Sequence, residues 1–112
     1  MPRYLLLLHG DEAAETALSG DERRAIVDGH VRLLGELREA GALVASAALE
    51  PSGRTRVVRD GSVTDGPFAE TKEVVGGFYV VECETDDDAV GWARRIPASP
   101  GLVVEVRPVA DV

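Results

Sequence analysis

Two histidines, His9 and His30, are the side chains best able to carry protons near neutral pH. Placing residues 19–40 at 100° intervals puts Ile26, Val27, His30, Leu33, Leu34, Leu37 and Ala40 on one stripe. Arg24, Asp28, Arg32, Glu36, Arg38 and Glu39 fall opposite. An imidazole on an apolar stripe has two readings. It is a core histidine satisfied by a backbone carbonyl or buried water, or it is an acid–base group turned towards a ligand. Asp65 is the second catalytic candidate, either a turn-capping carboxylate or a charged partner for His30 or a substrate. Three residues are candidates for substrate contact. His9 ends an apolar run beside Gly10, Asp11 and Glu12, where it is a polar strand terminus or the border of a crevice. Phe68 can anchor a turn or face a ligand. Lys72 either pairs with Glu70 in solvent or binds a ligand carboxylate.

Other chemistries have no foothold. His9, Asp11 and Glu12 do not make a metal site, because adjacent strand residues point to opposite faces and the spacing matches no zinc pattern. Cys83 has nothing nearby to activate it and reads as a small core residue. No phosphate loop, dinucleotide fingerprint or serine elbow occurs, so no cofactor is expected.

The elements that must position these residues follow from patterning. Arg3 to His9 read as a buried central strand, and Gly10 to Leu18 as an acidic loop. Ser19 and Glu22 form a capping box for a helix that runs to about Ala40, with Gly41 as its left-handed stop. Gly29 and Gly35 each weaken that helix, which suggests a close approach at Gly29. Ala42 to Leu49 form a second strand. Asp60-Gly61, between Arg54–Arg59 and Ser62–Thr64, signals a hairpin inserted at one end of the main sheet. Gly77 to Cys83 form another strand, with Tyr79, Val81 and Cys83 on one side. Thr85 caps a shorter helix whose face is Ala89, Trp92, Ala93 and Ile96, stopped by Pro97. Leu102 to Val106 form the last strand. The order is β-α-β-β-α-β with an inserted β-hairpin. It predicts an α+β, ferredoxin-like sandwich in a single domain, residues 1–112, with both helices on one face of a four-stranded antiparallel sheet. The other face then needs a cover, and a second copy related by a two-fold axis would supply it.

Composition narrows the partners. Twelve basic residues stand against twenty acidic ones, a formal charge of −8. That surface repels nucleic-acid phosphates and anionic membranes, so neither is expected as a partner. One cysteine allows no intrachain disulfide, and the short apolar run Leu5–Leu8 is no signal or span. A cytoplasmic location is expected.

The stretch Asp65-Gly66-Pro67-Phe68-Ala69-Glu70-Thr71-Lys72-Glu73, followed by Gly76-Gly77-Phe78, resembles the DGPF signature of the YCII-related family. The resemblance extends to Tyr4-Leu5-Leu6-Leu7, Gly10-Asp11-Glu12, Trp92 to Pro97 and Val104 to Pro108. It implies a dimeric α/β barrel. It also implies a histidine on the first helix, matched by His30, working with an aspartate just before Pro97. Here that position is Ile96, so Asp65 or Glu105 would have to substitute. One branch of the family resembles a dechlorinating enzyme, and other relatives are linked to alternative sigma factors. Two functions follow as expectations. One is a cofactor-independent, lyase- or hydrolase-like enzyme acting on a small polar organic molecule. The other is a non-catalytic binding or regulatory module.

Overall fold

The first strand, β1 (Arg3–Asp11), runs through the middle of the sheet and sends alternate side chains to opposite faces. The computed structural model describes residues 1–69, 71 and 73–111. After β1 come α1 (Glu12–Thr16), α2 (Gly20–Glu39), β2 (Leu43–Ala48), β3 (Arg56–Arg59), β4 (Ser62–Asp65), β5 (Glu73–Glu82), α3 (Asp86–Ala93) and β6 (Val103–Pro108). The four long-range strands form one antiparallel sheet in the order β2-β5-β1-β6. With the helices between strands, this is a mixed α+β fold of the ferredoxin-like kind.

The register divides the sheet cleanly. Tyr4, Leu6 and Leu8 of β1 stand beside Val81, Tyr79 and Gly77 of β5, and Leu6 and Leu8 face Val106 and Val104 of β6. This face meets Leu33 and Leu37 of α2 and Ala89 of α3 to make the core. Leu6, Leu33, Leu37 and Val81 are the most deeply buried large side chains. Each contributes roughly 1.5–3 kcal/mol by leaving water. The opposite face carries Leu5 and Leu7 of β1 beside Val80 and Phe78 of β5, all only half-buried. The chain is 18 Å across its thinnest direction, which accommodates one layer of helices on one sheet.

The caps read from sequence are present. The Ser19 hydroxyl accepts from the Glu22 amide at 3.1 Å, and the Glu22 carboxylate accepts from the Ser19 amide at 2.9 Å. Thr85 caps α3 through the Asp88 amide. Asp60 and Gly61 both have positive φ, 49° and 81°, as a tight hairpin turn between β3 and β4 requires. That hairpin forms its own two-stranded sheet.

Four expectations need correction. Residues 12–16 are helical rather than loop, because Asp11 accepts from the Ala14 amide and closes an N-cap that the acid-rich composition obscured. Strand β5 begins at Glu73, four residues before Gly77, because Val74 and Val75 continue the ladder against Gly10 and His9 across an irregularity. Helix α3 ends at Ala93, before Pro97 could stop it, and Arg94 caps it. Val27 and Ala40 lie on the α2 stripe but are exposed, Val27 at the edge of an open cavity and Ala40 at the helix C-cap.

Gly29 shows why α2 tolerates glycine. An added Cβ there would lie 2.6 Å from Cγ of Pro97, whereas one at Gly35 would meet nothing within 4 Å. The two sites should therefore respond oppositely to alanine. Gly29→Ala gains helix propensity but must displace a proline ring, and should lose about 1–2 kcal/mol. Gly35→Ala should gain about 0.5–1 kcal/mol. Urea denaturation of both variants checks the signs.

Candidate functional site

Helix α2 presents His30 to the sheet, as its stripe requires. There Nδ1 lies 2.5 Å from the hydroxyl of Tyr79, and the two rings stack with centroids 5.9 Å apart. Tyr79 sits in the core face of β5 and is only 3% exposed. Its hydroxyl has no other partner among the described residues. A buried O–H that donates to nothing is costly, so Tyr79 donates to Nδ1 and the ring proton of neutral His30 resides on Nε2. Nε2 has no protein partner among the described residues, yet no polar side-chain atom among them is buried without one. Nε2 therefore reaches open space.

His30 borders two cavities, one of about 480 Å³ beside β2 with Leu34, Arg38 and Tyr79 in its lining, and one of about 290 Å³ between α1, the first half of α2 and the end of the sheet. Leu8, Ile26, Leu49, Val75 and Leu102 give the smaller one apolar walls, and Glu12, Glu15 and Arg23 bring charge. Arg23 donates to the carbonyls of Glu15 and Thr16, which ties α1 to α2. Glu12 accepts from the amide and hydroxyl of Ser52 and fixes the chain beyond β2. Glu15 lies over Gly10, where an added Cβ would run into its carboxylate. Burial, with Glu12 and Asp11 nearby, pushes the Glu15 carboxyl above its ordinary range.

Burial also holds His30 below its ordinary value of 6.5. Burial raises Tyr79, so the pair is neutral at pH 7. The sign of the pH effect follows. Below about pH 6.5 the unfolded chain protonates His30 while the folded chain resists, so the unfolded state binds more protons. Stability from this group is complete above that pH and falls as acid drives the ring towards its lowered folded value. Wild type should lose stability between about pH 7.5 and about pH 5.5, and His30→Asn should lose less over the same interval. Glu15 works in the opposite direction in both proteins, so the difference between them isolates the histidine.

Of the remaining candidates, only His9 reaches the edge of the His30 cavity. His9 lies on the other face of β1, opposite Val75 and Val103, with Nε2 2.5 Å from Glu105. It borders both the smaller His30 cavity and another under the hairpin. Phe68 lines the hairpin cavity, is 77% exposed, and carries the Arg59 guanidinium 5.6 Å from its ring centre. Asp65 ends β4, exposed and opposite Arg56 in the strand register, and lines neither cavity. The structure does not bring it to His30. Glu105 meets His9 instead of His30. Lys72 lies outside the described residues. Cys83 is a buried core thiol, raised by burial. Among the described residues, no three His, Cys, Asp or Glu side chains converge on a metal-sized site. No helix among them is long and apolar enough to cross a membrane.

Sequence reasoning missed Tyr79 and Glu15. Tyr79 was findable, since it shares the inward side of its strand with Val81 and Cys83, and an inward histidine needs a partner. Glu15 was hidden by reading residues 10–18 as loop.

Two comparisons with known proteins bear on this site. A family model described as the YCII-related domain matches residues 2–112. A protein of Rhizobium meliloti (strain 1021), described as uncharacterised, is 35% identical over 113 residues, covering 96% of this chain and 91% of its own.

Proposed function

The chain belongs to the YCII-related domain family, and on that premise we propose that it handles a small carbonyl-bearing molecule at His30, in a cofactor-independent lyase- or hydrolase-like step. The observation that carries this is the neutral His30–Tyr79 pair at an apolar cavity of small-ligand size. With Tyr79 donating to Nδ1, the Nε2–H of His30 is a hydrogen-bond donor for a carbonyl oxygen. Such a bond strengthens as negative charge builds on that oxygen. Glu15, raised towards neutrality in the same cavity, is the group suited to take a proton from the adjacent carbon. The finer placement in the DGPF branch rests on residues 65–73.

A homodimer completes the reading. The open sheet face has Leu5, Leu7, Phe78 and Val80 at its centre. Around them lie Arg3, Arg107, Glu82 and Glu105, two charges of each sign. A two-fold interface must complement itself, and an apolar centre with a balanced rim does so.

A second reading has its own support. No carboxylate among the described residues lies within ion-pair distance of His30, and Ile96 stands where the family pattern has an acid. On that reading the cavity binds its ligand without changing it, as a regulatory module would.

A thermal-shift screen with small carbonyl compounds separates these outcomes. A bound ligand raises Tm by mass action. The enzyme reading expects the hit to be consumed on incubation. Recovery of the hit unchanged favours the binding module. A hit whose Tm shift survives in His30→Asn contradicts both.

A further inference from the structure

We infer that the ligand of the His30 site is an oxo acid, whose carboxylate is read by Arg38 at the end away from the reacting carbonyl. This rests on the proposed function and names its substrate class.

The space for such a group comes from the topology. Strand β2 lies at the edge of the sheet, and its side chains on the core face are small. Ser46 stands opposite Tyr79, and Ala48 stands opposite Gly77. Their size leaves the cavity of about 480 Å³ open between β2 and α2. Leu8, His30 and Gly76 line both this cavity and the smaller one, so the two meet at the imidazole. A ligand held by its carbonyl at Nε2 of His30 can extend into either.

Charge decides which end goes where. The smaller cavity has Glu12 and Glu15 in its lining, which repel an anion. The larger has no acidic residue in its lining, in a chain with twenty of them. Arg38 is its one charged side chain, since His30 is neutral. Arg38 follows Leu34 by one helical turn and reaches the rim of this cavity. Arginines that border the other cavities are engaged. Arg23 donates to two carbonyls, Arg54 pairs with Glu50 at 3.7 Å, and Arg95 pairs with Glu36 at 3.5 Å. The Arg38 side chain has no ion-pair partner among the described residues.

The helix sets the spacing. Cα atoms of residues 30 and 38 lie about 12 Å apart along the axis, and helical side chains lean towards the N-terminus, so Arg38 leans towards His30. Its planar guanidinium suits a carboxylate, and its single charge balances one. The Ser46 hydroxyl adds an uncharged donor on the same face of the sheet as Tyr79. An Arg38 that served only the last turn of α2 would be indifferent to the charge of a ligand.

The test measures affinities for linear oxo acids, from pyruvate to 5-oxohexanoate, and for their methyl esters, while following the ring ¹⁵N–¹H signals of His30. At least one acid should bind wild type about five- to tenfold more tightly than its ester. Arg38 is exposed, so Arg38→Ala should keep the fold and abolish that preference, while Arg38→Lys should retain part of it. Ser46→Leu fills the larger cavity and should abolish the preference with Arg38 still in place. Equal binding of acid and ester by wild type overturns the inference and leaves the His30 reading standing. So does a preference that survives in Arg38→Ala, or a series in which no acid binds. An acid that binds without moving the His30 signals overturns the proposed function and this inference with it.

Discussion

Leu37→Ala should cost about 3–4 kcal/mol of unfolding free energy, the largest stability effect expected of any single truncation in this chain. Leu37 is 0% exposed and packs in the cluster where α2 meets the sheet, with Leu33, Tyr79 and Val81 among its members. Truncation removes three carbons and leaves a void that flanking elements cannot fill. The sheet beneath is fixed by its ladders, and α2 is held at its start by the capping box. A domain of this size commonly has about 5–15 kcal/mol in total, so the variant should fold but melt early. Val31→Ala, on the outer side of the same helix at 61% exposed, should change stability by less than about 0.5 kcal/mol. Urea melts of both proteins decide the matter. A loss below about 1 kcal/mol for Leu37→Ala would mean that the core is not where α2 meets β1 and β5.

The largest functional effect should come from His30→Asn. Asparagine keeps a polar group of similar reach but cannot exchange a proton near neutral pH. On the enzyme reading, turnover should fall by about 10²–10⁴-fold, with the fold intact. Tyr79→Phe makes a finer test. It removes the donor that fixes the ring proton on Nε2, and leaves a half-buried Nδ1 unpartnered. The variant should lose about 1–3 kcal/mol of stability. It should also shift the pH profile of turnover, because the tautomer of His30 is then no longer set. A residue that merely filled space would lower stability and leave the pH profile where it was.

Much of this was legible in the residues. Ser19 and Glu22 announced the start of α2, and the 100° placement turned His30 inward, where it is found. Asp60-Gly61 announced the hairpin, and the alternation from Tyr79 to Cys83 announced the buried face of β5. The close approach at Gly29 was inferred from the cost of glycine in a helix, and Pro97 is its cause. What could not be read depends on contacts between distant segments. Nothing local to Glu105 says that it meets His9, because that pairing depends on the register of β6 against β1. Nothing local to Asp65 says that the hairpin carries it away from His30. Helix α1 escaped because a five-residue element gives too short a period to register, and only its cap from Asp11 marks it. The family pattern points to a carboxylate as the partner of His30. A tyrosine hydroxyl on the facing strand holds the ring instead.

In the proposed function His30 is neutral and its Nε2–H meets the ligand. The chain has only two histidines, so ring ¹⁵N–¹H spectra resolve them without crowding. The measurement is a titration of the whole protein with a carbonyl compound found by thermal shift, following those ring signals at neutral pH. The account predicts that His30 begins as the neutral Nε2–H form and that its Nε2 signal shifts saturably as ligand is added. A His30 already charged at neutral pH, or a ligand that saturates the protein without moving that signal, would contradict it.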